Sequence, residues 1–165
     1  MAGRAVVERA VVTGDELDVE EHRRAVGGAD VGAVVVFVGQ VRDHDPDVAG
    51  TVVSLDYEAH PDASAVLADL AARCAGGRPV RVAVSHRTGL LDVLDVAVVV
   101  AVSSAHRVEA FDVCRDLIET VKTDLPIWKK QIDHRGVGTW SGLGAAQPRP
   151  VQPPANGGST STPTA

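Results

Sequence analysis

Lysine is rare in this chain and confined to one segment. Thirteen of its 16 basic side chains are arginines, spread from Arg4 to Arg149, while Lys122, Lys129 and Lys130 fall within nine consecutive residues. Arginine stays protonated, whereas lysine gives up its proton when desolvated or crowded by other cations. The segment Lys122-Thr-Asp-Leu-Pro-Ile-Trp-Lys-Lys130 therefore offers a base, a nucleophile or a compact point charge. The competing reading is a basic surface patch. Lys122 follows Ile118 by four, at the edge of an apolar helical stripe, where partial burial would favour loss of its proton. It also stands in a last helical turn, where the helix dipole favours any cation. Lys129 and Lys130 point to opposite faces of an extended segment, so only one of them can share a pocket with Lys122.

Two further polar clusters suit anions. Ser103-Ser104-Ala105-His106-Arg107 opens the longest helical segment. Ser103 or Ser104 is the expected N-cap, which puts His106 and Arg107 in the first turn. There they join free backbone N–H groups as a receptor for phosphate or carboxylate. The alternative is that Glu109 and Asp112 neutralise Arg107 on the helix surface. Gly39-Gln40-Val41-Arg42-Asp43-His44 follows an apolar run. Arg42 can grip a phosphate with two parallel N–H groups, or pair with Asp43 or Asp45 in a solvated loop. The six histidines show neither HxxxH nor HExxH spacing, so no metal site is expected.

The elements that must position these residues read as alternating strands and helices. Strands are expected at 6–12, 32–38, 52–57, 80–86 and 95–102, with an extended segment at 127–132. Helices are expected at 17–26 (Asp15 as N-cap, Gly27-Gly28 as stop), from Pro61 through Cys74 (ended by Gly76-Gly77), and at about 105–124. On the last helix Val108, Phe111, Cys114 or Arg115, Ile118 and Val121 recur at helical spacing, and Pro126 ends it. No strict βαβα rhythm is present, so the expected class is α+β with a mixed sheet and one long helix. The chain is expected to divide into one domain over 1–146 and a disordered tail over 147–165 rich in Pro, Gly, Ser and Thr.

Composition sets bounds on function. Hydrophobic residues make up 45% of the 165, but aromatics only 3%, so the core must be built from Val, Ala and Leu. A domain of this size buries roughly 68–70% of its unfolded surface and needs no staples. The net charge of −6 argues against general nucleic-acid binding but leaves room for a local basic pocket. Cys74 and Cys114 form no CxxC, and two reduced, buried thiols in a cytoplasmic protein are expected. Arg4, Glu8 and Arg9 interrupt any N-terminal signal core, and Val96–Val102 is too short to span a bilayer.

Taken together, the polar clusters resemble the large, catalytic subunit of molybdopterin synthase. The resemblance rests on Gly32–Phe37 followed by Gly39-Gln-Val-Arg42-Asp-His44, Ser104-Ala-His-Arg107 and Lys122–Lys129, with Tyr57–His60 and His86–Gly89 also fitting. It covers roughly residues 5–140, and its specificity lies in the joint spacing. It implies an α/β-hammerhead fold in a single domain and a homodimer of large subunits that builds each pocket from both chains, with His106-Arg107 reaching across. It further implies one small ubiquitin-like sulfur carrier per large subunit, giving a heterotetramer. The carrier's C-terminal Gly-Gly thiocarboxylate would enter the pocket and pass sulfur to cyclic pyranopterin monophosphate, forming the molybdopterin dithiolene in molybdenum cofactor biosynthesis. By the same resemblance Lys122 is the catalytic lysine, a general acid/base, and Lys129 holds the thiocarboxylate or the developing charge. Gln40, Val41, Arg42, His106, Arg107, Lys130 and Gln131 match substrate-binding positions, and Phe37 and Ile118 match pocket-lining ones. No cofactor is implied for this subunit. The sequence departs from the family at Gln40, often lysine, at Gln131, often acidic, and at Ser141–Gly144, where relatives can carry another basic residue.

Two other readings compete. A non-catalytic module binding a ubiquitin-like carrier or an anionic metabolite would use the same basic pocket. A Schiff-base enzyme would use Lys122 covalently.

Overall fold

The computed structural model describes residues 4–45, 48 and 50–141, so the tail expected over 147–165 and most of the Ser141–Gly144 departure lie outside the described residues. Eight strands and three helices follow one another as β1 (Val6–Thr13), α1 (Val19–Ala25), β2 (Ala33–Gln40), β3 (Val52–Ala59), α2 (Ala63–Ala75), β4 (Val80–Arg87), β5 (Gly89–Asp92), β6 (Val96–Ser104), α3 (Arg107–Asp124), β7 (Ile127–Asp133) and β8 (Gly138–Ser141). They form two four-stranded sheets, ordered β1-β4-β6-β2 and β5-β3-β7-β8. The first is mixed, because β1 runs parallel to β4 while β6 runs antiparallel to β4 and β2. The second is wholly antiparallel. The α+β class expected from the sequence is the class observed.

Strand periodicity divides the core. On β4 and β6 the residues Val80, Val82, Val84, Val98, Val100 and Val102 face α2 and α3, packing on Leu67, Leu70, Leu117 and Val121. The alternate residues Ala83 and Ala101 meet Val26 beside α1 on the other face. Both faces are covered, which is why these strands read as unbroken apolar runs. A second cluster, Val41, Val52, Leu55, Leu91 and Ala97, lies under the other sheet.

Several expectations need correction. Helix α1 is capped by Asp18, whose carboxylate accepts from the Glu20 and Glu21 amides at 2.8 and 3.1 Å, while Asp15 closes a turn with the Thr13 hydroxyl. Ser103 and Ser104 do not cap α3. They are the last residues of β6, buried, with hydroxyls donating to the carbonyls of Val26 and Pro79, and His106 takes the cap position. The buried stripe of α3 is Ala110, Val113, Cys114, Leu117, Ile118 and Val121, whereas Val108 and Phe111 are each 60% exposed. Both sets satisfy helical spacing; only the tertiary partner decides which one is covered. Cys114 is buried but Cys74 is only half-buried, and both are free thiols. Strands β5 and β8 have four residues each and carry too short a pattern to be found from sequence. No helix among the described residues is long and apolar enough to cross a membrane.

Candidate active site

A cavity of about 390 Å³ opens where the two sheets meet the C-terminal half of α3. Antiparallel pairing brings the end of β2 (Phe37, Gly39, Gln40), the end of β4 (His86) and the start of β6 (Ala97, Val98) to the same edge of the first sheet. Helix α3 adds Ile118, Val121 and Lys122, and the second sheet adds Tyr57, Ile127 and Lys129. The two lysines reach one cavity because the chain reverses sharply between them. Leu125 leaves the helix with ψ 124°, as a residue before proline must, and its buried side chain anchors the turn. Strand β7 starts two residues later, and Tyr57 lies directly across from Lys129 in its register.

The two lysines have different surroundings. Lys122 is exposed, not partly buried as its place beside the stripe suggested, and no ion pair or hydrogen bond joins it to the other described residues. Lys129 is 30% exposed, and its Nζ lies 3.2 Å from the carboxylate of Asp45, which is 10% exposed.

The remaining polar wall is an aromatic pair. The rings of Tyr57 and His86 meet edge to face with centroids 5.1 Å apart. His86 Nδ1 lies 2.8 Å from the Arg87 carbonyl. A carbonyl only accepts, so Nδ1 carries the proton and Nε2 is left as an acceptor. Burial holds the His86 imidazole below its ordinary pKa, and the Arg87 carbonyl opposes this less strongly. Burial pushes the Tyr57 phenol up, and the charge of Asp45 pushes it further. The site is thus two ammonium groups and one carboxylate beside a neutral aromatic floor.

Of the residues singled out by sequence, Lys122, Lys129, Gln40, Phe37 and Ile118 come together here. The others do not line this cavity. Val41 is buried in the second core cluster and is a packing residue. Arg42 is exposed in the loop after β2. Lys130 points to the opposite face of β7, where its ammonium lies 5.7 Å from the Trp140 ring centroid, within cation–π range. Gln131 shares the Lys129 face but is 1% exposed and paired in register with Leu55. His106 and Arg107 are exposed at the far end of α3, about 22 Å along the helix from Lys122 at 1.5 Å per residue.

Sequence reasoning did not assign Tyr57, His86 or Asp45 to the site. A signal existed for His86, since Val80, Val82 and Val84 set a period of two that a histidine then breaks on the same face. Tyr57 is the single tyrosine of the chain. Asp45 carried none, since an acidic residue in a polar loop reads as solvated. Among the described residues no cluster of three His, Cys, Asp or Glu side chains is placed to hold a metal.

Comparison with known proteins identifies the family. The model of the MoaE protein family matches residues 12–124. Molybdopterin synthase catalytic subunit 1 of Mycobacterium tuberculosis is 44% identical over 133 residues, covering 79% of this chain and 88% of that protein. The crystal structure of molybdopterin synthase from Staphylococcus aureus superposes with a TM-score of 0.71 at 33% identity, covering 86% of this chain and 98% of that one. A complex of subunits 1 and 2 of the molybdopterin-converting factor from Helicobacter pylori shares the fold at 19% identity, with a TM-score of 0.61 over 83% of this chain and 89% of that one.

Proposed function

The chain belongs to the MoaE protein family, whose curated relatives are molybdopterin synthase catalytic subunits, and from that premise we propose how its cavity works as a sulfurtransferase site in molybdenum cofactor biosynthesis. The observation that carries the reading is the convergence of Lys122 and Lys129 on one cavity with Gln40, Phe37 and Ile118. The donor is the C-terminal thiocarboxylate of a small ubiquitin-like partner subunit, and the acceptor is cyclic pyranopterin monophosphate. Both are anions, and a local cationic pocket draws them in although the chain as a whole is acidic. Lys122, in contact with solvent and without a partner among the described residues, exchanges protons during sulfur addition and ring opening. Lys129 stabilises negative charge as the donor sulfur is released. The apolar wall of Phe37, Val98 and Ile118 lowers the local dielectric and strengthens both interactions.

His106 and Arg107 enter this reading through a second copy of the chain. They stand too far along α3 to join Lys122 of their own protomer. Val108 and Phe111 on the same turn offer exposed apolar surface that a partner protomer would cover. Each pocket of the homodimer then receives a histidine and an arginine from the other chain, and two carriers complete a heterotetramer. Arg42, Lys130 and Gln131 are assigned supporting roles at the rim and in the strand behind Lys129. The reading places the protein in the cytoplasm, with residues 1–146 as the catalytic domain.

The test is a sulfur-transfer assay with purified protein, thiocarboxylated carrier and cyclic pyranopterin monophosphate, run beside Lys122→Ala. Wild type should form molybdopterin, and the variant, equally folded, should not. Full turnover by the variant would remove Lys122 from the mechanism. Carrier binding without product from wild type would turn the assignment into a binding module.

A further inference from the structure

We infer that Asp45 is a positioning residue of this site: it fixes the Lys129 ammonium and offsets its charge in the resting pocket, leaving Lys122 as the one uncompensated cation that a single protomer brings to the cavity among the described residues. The inference starts from burial. Asp45 lies in the loop after β2 yet is only 10% exposed, and its carboxylate sits 3.2 Å from Lys129 Nζ. A carboxylate so enclosed needs a fixed partner. A backbone bond from Val52 N–H to the Asp43 carbonyl closes the loop carrying it, and the Asp45 carbonyl itself accepts from Val48 N–H. Asp45 is therefore held by the fold, and the flexible lysine stem is what it orders. An ammonium has three donors. One is committed to Asp45, which orients the other two.

The charge follows from the ionisable groups that line the cavity and from Asp45, which joins them through Lys129. By formal charge Lys122 on α3 and Lys129 on β7 count as two cations and Asp45 as one anion, while burial favours the neutral forms of His86 on β4 and Tyr57 on β3. Within one protomer the sum is one positive charge, and it resides on Lys122. An entering anion is thus directed to Lys122, at the exposed side, while Lys129 keeps a defined geometry deeper in the pocket. The two lysines are not interchangeable.

Two variants of the full-length protein separate position from charge. Asp45→Ala removes both, and Asp45→Asn removes the charge but keeps an oxygen that accepts from Lys129. In the sulfur-transfer assay, which rests on the function proposed above, Asp45→Ala should lower kcat about tenfold to a hundredfold, the scale of a misplaced reacting group. Asp45→Asn should recover most of that loss. In a second measurement, independent of that function, inorganic phosphate is titrated as a probe of the pocket's charge. Both variants should bind it about threefold to tenfold more tightly, because the pocket gains a positive charge. A merely structural role for Asp45 would weaken phosphate binding and lower kcat together. Wild-type kcat in Asp45→Ala, or phosphate affinity unchanged or weaker in both variants, would overturn the inference. Absence of sulfur transfer in the wild type would fail the functional reading alone and leave the phosphate titration to decide on Asp45.

Discussion

Gly39→Ala is the perturbation that links the pocket wall most directly to the fold. A Cβ at position 39 would lie 2.5 Å from Cγ1 of Val98 and 3.4 Å from Cε1 of Phe37. Carbon atoms pack at about 3.5–4.0 Å, so roughly 1 Å must be found. Val98 cannot yield cheaply, because it is β-branched, 7% exposed and part of the main core cluster. Phe37 borders the same cavity. Strand β2 lies at the sheet edge, so part of the strain can be relieved by an outward shift. Overpacking of this kind costs about 1–3 kcal/mol. With relief at the edge about 2 kcal/mol is expected, which lowers Tm by about 4–8 °C for a chain of this size.

Urea unfolding followed by circular dichroism would measure the loss, and sulfur transfer would show kcat/KM reduced about tenfold by the displaced wall. Gly14→Ala is the control, since a Cβ there meets nothing within 4 Å; it should be neutral or stabilise by up to about 1 kcal/mol. Val98→Ala supplies the missing space. The double variant Gly39→Ala/Val98→Ala should therefore be more stable than the sum of the single losses by about 1 kcal/mol or more. Additive losses, or a Gly39→Ala protein as stable as Gly14→Ala, would refute the close-approach argument.

Three further outcomes follow from the surroundings of single side chains. His22 is fully buried between the Asp18 carbonyl and the Ser85 hydroxyl, at 2.6 and 2.8 Å, so His22→Ala should cost about 2–4 kcal/mol in urea unfolding, with Ser85→Ala costing less. The Cys114 thiol is pushed up to about 11 by burial, so at pH 8 iodoacetamide should label Cys74 in the folded protein and reach Cys114 only on unfolding, as peptide mass mapping would show. His86 has a pKa lowered by burial, so below about pH 6.5 the unfolded chain takes up a proton before the folded one does. Its share of stability is present above that pH and is lost as pH falls through the folded value; His86→Gln should flatten this part of the stability–pH curve.

What the sequence disclosed and what it hid divide along physical lines. Runs such as Val96–Val102, buried on both faces, and Pro126 after a long amphipathic segment are local signals, and the strands and helix end they imply are where they were expected. Long-range partners are not local. Helical spacing on α3 admits a face containing Val108 and Phe111 as well as one containing Ala110 and Leu117, and only the sheet beneath decides. Asp15 and Asp18 are both good caps by type, and the choice falls to the residue whose carboxylate can reach two amides. The site divides in the same way. Unusual residue choice marked the lysines, but the counter-ion of Lys129 comes from 84 positions away and carried no mark of its own.

That separation explains how an acidic chain brings two lysines with different surroundings to one cavity. Lys122 and Lys129 are seven positions apart, yet the turn at Leu125-Pro126 delivers one from a helix end and the other from a strand. A helix end already attracts a cation, because its carbonyls carry partial negative charge. An antiparallel strand instead holds its side chain by register, here across from Tyr57, with Asp45 as partner. Two lysines on one helix face would be equivalent and mutually repelling. Taking them from different elements gives each its own electrostatic setting, so a single pocket can attract an anion with one and hold a fixed donor with the other. The difference between the two lysines therefore resides in the turn that joins the two elements and in the loop that supplies Asp45, more than in the count of basic residues.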